Sequence, residues 1–255
     1  MDINLLALNL GNTRLAMGTF TAGELGKVKR IPHENKSEWV AALIDGWASL
    51  SSNDAAVVAA SVNPAMEGAL EDAVMEALNR RIVWVGKDLE LPIAVLTDEP
   101  ELTGVDRVLN VAAAFEQMGN ACVVIDAGTA LTVDVCNDAG EFLGGAIAPG
   151  ASLMLDALHE KTARLPRVNL AVPEDAWGKN TEQAILTGVY HGIRGMVKEI
   201  VETYATALGT WPEIIATGGD AQTLFGGWGL IHAVAPDLTL YGIALAYANH
   251  HLKHG

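Results

Sequence analysis

The chain has 255 residues, half of them hydrophobic, and carries a formal net charge of −15 at pH 7. This length can bury one large core or two cores of roughly 120 residues each, so the composition predicts a globular protein. The negative charge repels phosphate backbones and argues against a nucleic-acid partner. The nearest basic run, Lys27-Val28-Lys29-Arg30, is interpreted as a solvated hairpin end.

No stretch reaches the roughly 20 apolar residues that a membrane span needs, and the first residues lack the basic segment of a signal peptide. We therefore expect a cytoplasmic protein with no membrane partner. Cys122 and Cys136 flank one apolar hairpin. We interpret them as two buried thiols in a reducing compartment, and not as a disulfide or a metal site.

The first half begins with a predicted hairpin and continues with alternating helix and strand patterns. An apolar run ends in Asn9-Leu10-Gly11-Asn12-Thr13 and is followed by a β-rich run. The later patterns are a helix at 38–50, a strand at 55–61, a helix beginning near residue 63 and a strand at 81–85. Asn63 is the predicted cap of the second helix, and Pro64 suits its first turn.

The second half repeats the opening hairpin. Asp126-Ala127-Gly128-Thr129 again follows an apolar run and precedes a β-rich run, more than a hundred residues after the first copy. This spacing predicts two similar domains rather than a solenoid. Helical patterns follow at 181–208 and 238–252, around a strand at 213–216. The alternation predicts an α/β fold with halves 1–118 and 119–255, each containing one phosphate turn.

The two turns indicate the chemistry. A glycine-containing turn can point several backbone N–H groups at phosphate oxygens, and a threonine hydroxyl adds a donor. One such turn alone is as often an ordinary hairpin, but the pair favours a grip on a polyphosphate. The string Thr217-Gly218-Gly219 either closes a strand-to-helix turn or approaches a flat ligand such as adenine. Beside the two phosphate turns, nucleotide contact is favoured.

A fourth cluster lies at the start of a predicted helix. Asp106 follows Gly104 closely and is either a helix cap or a catalytic acid. The planar fork of Arg107 suits a carboxylate or a phosphate, whereas the alternative is a surface ion pair.

Taken together, these strings resemble the type III pantothenate kinases over almost the whole chain. The resemblance is carried by Gly11-Asn12-Thr13, Gly104-x-Asp106-Arg107-x-x-Asn110, Asp126-x-Gly128-Thr129, Gly144-Gly145-x-Ile147-x-Pro149-Gly150, Leu165-Pro166, Thr181 followed by Gly188, Thr217-Gly218-Gly219 and Leu238-x-Leu240-x-Gly242. It implies paired ribonuclease-H-like domains of the actin-like ATPase fold, facing across a nucleotide cleft, in a homodimer. It also implies phosphorylation of pantothenate by ATP, the first step towards coenzyme A, with Mg²⁺ and a monovalent cation, K⁺ or NH₄⁺.

The same resemblance implies roles for individual residues. Asp106 would be the catalytic base, Arg107 the clamp on the pantothenate carboxylate, and Asp126 the ligand of the monovalent cation. Thr181 would donate to pantothenate from the partner subunit. The other implied acceptor contacts are Thr97, Gly104 and Val105. The implied ATP contacts are Asn9, Gly11, Asn12, Thr13, Arg14, Gly128, Thr129, Gly218 and Gly219.

Two positions depart from the family pattern. Asn9 stands where the family's first motif has Asp, and its amide lacks the charge that would attract magnesium and ATP-bound cations. Thr97 falls where the family commonly has a Tyr in the substrate pocket. Two alternatives therefore remain open. Asn9 favours a catalytically weakened nucleotide-binding paralogue with a regulatory or accessory role, and Thr97 favours a kinase of the same superfamily with a different small acceptor.

Overall fold

The structure is a computed structural model that describes residues 3–50 and 55–254. The chain divides into two compact units. The first consists of the described parts of Met1–Ala94, Asp98–Ala113 and Leu238–Gly255, and the second of Val95–Thr97 and Ala114–Asp237. The sequence-based halves, 1–118 and 119–255, assigned the last helix to the second half, with the alternative that this helix returns across the boundary. In the structure this helix belongs to the first unit.

The first unit contains a five-stranded sheet. Its strands are β1 (Leu5–Leu10), β2 (Arg14–Thr21), β3 (Glu24–Pro32), β4 (Ala56–Ser61) and β5 (Ile82–Trp84). Its helices are α1 (Trp39–Ala48), α2 (Pro64–Leu78), most of α3 (Val105–Met118) and α7 (Leu238–His254), with 3₁₀ turns at His33–Glu38 and Pro100–Leu102. The strand order is β3-β2-β1-β4-β5. The first three strands form an antiparallel meander, and β4 and β5 add in parallel.

The second unit repeats this topology. Its strands are β6 (Cys122–Ala127), β7 (Ala130–Cys136), β8 (Phe142–Pro149), β9 (Glu213–Thr217) and β10 (Ala233–Val234). Its helices are α4 (Ala151–Glu160), α5 (Thr181–Leu208) and α6 (Ala221–Phe225). The order β10-β9-β6-β7-β8 is the order of the first sheet read from its other end. The antiparallel meander and the parallel additions recur, so the repeat seen in the sequence is confirmed as a duplicated topology.

The alternation of side chains along β1 explains how the first sheet is covered on both faces. Leu6 and Leu8 belong to one buried cluster with Trp39 of α1 and residues of α2. Leu5 belongs to a second cluster with Leu240 and other α7 residues. Because α7 supplies the covering layer for one face, it is part of the first unit although it is last in the chain.

Several local predictions differ from the structure. Lys27 and Lys29 lie within β3, an edge strand of the first sheet, and not at a hairpin end. Lysines are common on edge strands because they discourage pairing with another chain. Asn63 occupies the N-cap position of α2, but its side chain makes no capping hydrogen bond. Its amide instead donates to the carbonyl of Asn12 at 3.5 Å.

The two cysteines are buried free thiols, as predicted. Cys122 and Cys136 are directly opposite each other on β6 and β7, with their sulfur atoms 3.3 Å apart. Within residues 3–50 and 55–254, none of the helices combines the length and the apolar character that a membrane crossing requires.

Candidate active site

The first glycine turn joins β1 to β2. The Gly11 N–H donates to the Arg14 carbonyl at 3.1 Å and closes the turn, which leaves Asn12, Thr13 and Arg14 exposed. Asn9 lies one residue before the end of β1 and is half-buried. The turn therefore presents polar and cationic groups to solvent, as a phosphate cradle requires.

The second glycine turn joins β6 to β7 and is one residue shorter. Register partners enclose three residues here, between Ala127 and Leu131, and four in the first turn, between Leu10 and Leu15. The Gly128 N–H donates to the Ala130 carbonyl at 3.1 Å. Thr129 is exposed. The shorter turn retains the glycine and the threonine hydroxyl but has no counterpart of the additional Asn12.

The strand positions that precede the two turns have different neighbours. Asn9 pairs with Ala16 on β2 and Ala60 on β4. Asp126, at the equivalent place on β6, pairs with Thr132 and Thr217. Directly opposite residues in a sheet project to the same face, so Asp126 has hydroxyl-bearing neighbours where Asn9 has methyl groups.

Two glycines pack against the second turn more closely than any other residue type could. A Cβ on Gly218 would lie 2.4 Å from Asp126 Oδ1, and one on Gly150 would lie 2.2 Å from the Gly128 carbonyl oxygen. Gly218 also has a φ of +96°, a conformation that favours glycine. The Gly150 N–H donates to the Thr129 carbonyl at 3.0 Å. The structure thus brings Asp126, Gly128, Thr129 and Gly218 together in one cluster, and Gly150 is an additional member.

Asp106 lies in the first turn of α3. Its Oδ1 accepts the Arg107 backbone N–H at 2.8 Å. Burial raises the pKa of Asp106 above its ordinary value, while the bond from the Arg107 N–H and the Arg107 charge act in the opposite direction. Gly104 makes room for this carboxylate, since a Cβ there would be 2.9 Å from Oδ1. A partly desolvated carboxylate of this kind is suited to accept a proton.

The remaining candidate residues lie at the start of α3, in a short segment of the second unit and after β9. Val105 begins α3 beside Asp106, and Arg107 is half-buried in the same turn. Thr97 ends a short segment of the second unit, in which the Leu96 N–H donates to the Phe142 carbonyl at 2.8 Å. Gly219 is exposed at the end of β9.

Thr181 is the exposed first residue of α5 and lies one turn from an apolar groove. Asn180 caps the helix by accepting the Gln183 N–H at 2.9 Å. The groove has a volume of about 950 Å³ and lies between α4 and α5. Apolar side chains dominate its lining, and they include Leu153, Met154, Leu158, Ile185, Val189 and Met196. No sequence pattern predicted this groove, in which Leu153 is 45% exposed.

The groups beside the second turn that could bind a cation are oxygen atoms, not histidine or cysteine side chains. In the parts of the chain that the structure describes, no three His, Cys, Asp or Glu side chains converge on one point. Asp126 Oδ1 and the Ala127 carbonyl oxygen both lie beside Gly218. Carboxylate and carbonyl oxygens are suitable ligands for hard cations. A cation bound here would have these two protein oxygens as ligands and would take its other ligands from a bound phosphate group.

Two units with the same strand order, each with a glycine-threonine turn in its first hairpin, define a protein of the actin-like ATPase fold. Solved structures share this fold. Component A of (R)-2-hydroxyglutaryl-CoA dehydratase from Acidaminococcus fermentans aligns with a TM-score of 0.56 at 14% identity, over 97% of this chain and 98% of that one. A putative Baf family transcriptional activator from Campylobacter jejuni aligns with a TM-score of 0.63 at 21% identity, over 96% and 99%.

Sequence comparison gives the family. The sequence profile of the type III pantothenate kinases matches residues 5–203. A type III pantothenate kinase of Anaeromyxobacter dehalogenans (strain 2CP-C) is 37% identical over 249 residues, which cover 95% of this chain and 98% of the relative. One from Dehalococcoides mccartyi (strain CBDB1) is 32% identical, with 95% of each chain covered. The chain therefore belongs to the type III pantothenate kinase family.

Proposed function

We propose that this protein transfers the γ-phosphoryl group of ATP to the primary hydroxyl of pantothenate. The products are 4′-phosphopantothenate and ADP, and the reaction begins coenzyme A biosynthesis. The observation that carries the proposal is its nearly full-length similarity to kinases of this name at 32–37% identity. The proposal places the enzyme in the cytoplasm, where ATP is available and thiols such as Cys122 and Cys136 stay reduced.

The two turns are proposed to bind the phosphates of ATP. The first would contribute Asn9, Gly11, Asn12, Thr13 and Arg14, and the second Gly128 and Thr129. Their support is the exposure of both turns and the hydrogen bonds that close them. Gly218 and Gly219 are proposed to lie near the adenosine. Backbone N–H donors and hydroxyls suit this task because phosphoryl transfer requires mainly positioning and charge stabilisation.

Asp106 is proposed to accept the proton of the attacking hydroxyl. The hydroxyl oxygen of pantothenate forms a bond to the γ-phosphorus, the bond from that phosphorus to the β–γ bridging oxygen breaks, and ADP leaves. The hydroxyl proton passes to the Asp106 carboxylate. The support is the raised pKa of Asp106, caused by burial, because a base works best when its pKa is close to the operating pH.

Arg107 is proposed to bind the carboxylate of pantothenate, together with Gly104 and Val105 at the start of α3. A guanidinium fork can donate two parallel hydrogen bonds to one carboxylate. Thr97 is proposed to line the acceptor pocket in place of the family's usual Tyr. A shorter side chain leaves more room there, which predicts tolerance of acceptors slightly bulkier than pantothenate.

Cations are proposed at two points. Mg²⁺ would neutralise charge on the ATP phosphates and would be held chiefly by the nucleotide, since Asn9 is a neutral amide. Asp126 would bind the monovalent cation, K⁺ or NH₄⁺, beside the second turn. Replacing Asp126 with Asn should then abolish the stimulation of activity by KCl.

The functional unit is proposed to be a homodimer in which a second copy covers the apolar groove between α4 and α5. The groove exposes Leu153 one helix away from Thr181, and burying such a surface against another chain is favourable. Thr181 would then donate to pantothenate bound by the partner. Leu153→Asp should yield monomers in light scattering, whereas Leu252→Asp, on the exposed face of α7, should leave the mass unchanged.

A coupled ADP-release assay tests the function directly. The purified protein is given ATP, MgCl₂, KCl and a panel that contains pantothenate, other hydroxy acids and hexoses. We expect ADP release with pantothenate and with close analogues, and none with hexoses. Asn9 supports a second candidate, a nucleotide-binding protein with little turnover. That candidate is favoured if ATP binds in calorimetry while every acceptor fails.

A further inference from the structure

Two neighbouring segments of the first unit hold the first glycine turn from outside. The Thr13 carbonyl accepts the backbone N–H of His33, the first residue after β3, at 3.0 Å. The Asn12 carbonyl accepts the side-chain amide Nδ2 of Asn63, in the loop between β4 and α2, at 3.5 Å. Together with the bond that closes the turn, these contacts engage three successive carbonyl oxygens, at residues 12–14. The carbonyl groups of the turn are therefore directed towards protein donors.

The N–H groups of Asn12 and Thr13 have the opposite surroundings. Neither donates to an acceptor among the residues that the structure describes, and both residues are exposed. The Asn12 carbonyl and the Thr13 N–H belong to one planar trans peptide group, so they point in opposite directions. A donor that fixes the Asn12 carbonyl on the protein side therefore also fixes the Thr13 N–H on the solvent side, where a phosphate would bind.

The Asn63 side chain is available for this contact because it does not cap its own helix. Asn63 is half-buried at the N-cap position of α2, but its side chain makes no capping hydrogen bond. Its backbone N–H donates to Ser61 Oγ at 3.1 Å. The N–H of the neighbouring Val62 donates to the Leu10 carbonyl at 3.1 Å. The loop that contains Asn63 is thus attached to the end of β1, directly before the turn.

We propose that Asn63 is a positioning residue for the first glycine turn. Its amide holds the Asn12 carbonyl, and this contact orients the Thr13 N–H towards the phosphates of ATP. The inference rests on the proposed nucleotide site and adds to it a residue that lies 51 positions away from the turn in sequence. It also explains why a residue type that commonly caps helices leaves the start of α2 uncapped.

The experiment compares Asn63→Ser with Asn63→Ala. Both substitutions remove the amide donor, but serine is a favoured residue at a helix start and alanine is not. A role in the turn and a role at the helix start therefore predict different results for the pair. Asn120→Ala, at an exposed position after α3, is the control for loss of an asparagine amide. Calorimetry gives the dissociation constant of MgATP, coupled ADP release gives the KM for pantothenate, and thermal melts report folding.

Both Asn63 variants should bind MgATP about two- to fivefold more weakly. This factor corresponds to the low end of the range for a neutral hydrogen bond, as its length suggests. The KM for pantothenate should not change, because the turn is proposed to contact only the nucleotide. Asn63→Ser should melt at or above the wild-type temperature, and Asn120→Ala should match the wild type in every measurement.

Wild-type MgATP affinity in Asn63→Ser, with weaker binding in Asn63→Ala alone, would assign residue 63 to the helix start and refute the inference. Wild-type affinity in both variants would refute it as well, and so would an equal rise in the KM for pantothenate, which indicates a general distortion. The proposed kinase function fails separately. If the wild type releases no ADP with any acceptor, while both Asn63 variants still bind MgATP more weakly than the wild type, the positioning role stands without the kinase.

Discussion

Gly150 offers a sharp test of the second phosphate turn, because Gly150→Ala adds one methyl group at a defined point. Gly150 has φ −71° and ψ 172°, values that alanine adopts without strain. The effect of the substitution is therefore steric. The new Cβ would lie 2.2 Å from the Gly128 oxygen and 2.6 Å from the Thr129 oxygen, and these carbonyls would have to move by about 1 Å to reach normal contact.

The expected magnitude follows from this clash. Overpacking of this kind costs about 1–3 kcal/mol. If the turn moves to relieve the clash, its N–H groups move away from the phosphates. A loss of about 1.4 kcal/mol in the binding free energy of ATP corresponds to a tenfold loss of affinity. We expect the KM for ATP to rise about tenfold. If the turn keeps its position and the surrounding fold is strained instead, the melting temperature should fall by about 2–12 °C, at roughly 2–4 °C per kcal/mol for a chain of this size.

The assay measures KM for ATP and for pantothenate by coupled ADP release, and melting temperatures with and without ATP. Gly195→Ala is the matched control, because Gly195 is exposed on α5 and a Cβ there meets no atom within 4 Å. It should leave both KM values unchanged and raise stability by up to about 1 kcal/mol, as alanine favours helix over glycine. Wild-type KM for ATP and wild-type melting in Gly150→Ala would refute the packing argument.

Three further predictions concern the first unit. Asp106→Asn should lower kcat by about 10²-fold or more yet raise stability by about 1 kcal/mol. The pKa of Asp106 is raised in the folded state. Its contribution to stability is therefore fully present below the unfolded pKa and is lost as pH rises through the folded pKa. Thermal melts across pH should show the higher stability of Asp106→Asn only above the range between these two pKa values. Arg107→Ala should raise the KM for pantothenate much more than that for ATP, and equal increases would contradict the carboxylate clamp. Asn9→Asp should increase turnover, most at limiting MgCl₂, with little change in ATP affinity by calorimetry; unchanged turnover at every MgCl₂ concentration would count against a metal role at this position.

The sequence was sufficient to predict the duplicated topology. The string around Gly11 recurs around Gly128, each time between an apolar run and a β-rich run, so the two hairpins could be located from residue identity alone. The helical pattern predicted at 181–208 agrees with α5, whose ends lie at the Asn180 cap and at Gly209. The packing of Gly218 against Asp126 was not predicted, because it depends on the parallel pairing of β6 with β9, which are far apart in sequence.

The remaining features depend on contacts between distant residues. Gly150 follows β8 and has an ordinary φ, so nothing local in the sequence indicates that its hydrogen atom faces the Gly128 carbonyl. β3 was not predicted as a strand because its charged residues are compatible with an exposed turn. Asn63 has the residue type of a helix cap, yet its partner, Asn12, is 51 residues away. The side chain makes that long-range contact in place of the local one that sequence patterns describe.

The return of α7 to the first unit has a consequence for how the chain matures during synthesis. The second unit is almost continuous, so it can complete its core while the C-terminus is still being translated. The first unit must wait, because the layer over Leu5 includes α7 residues, which emerge only after the whole second unit. Translation proceeds at about 5–20 residues per second, so one face of the sheet in the first unit stays uncovered for several seconds or more. Loss of the final helix would leave that face permanently open to chaperones and proteases.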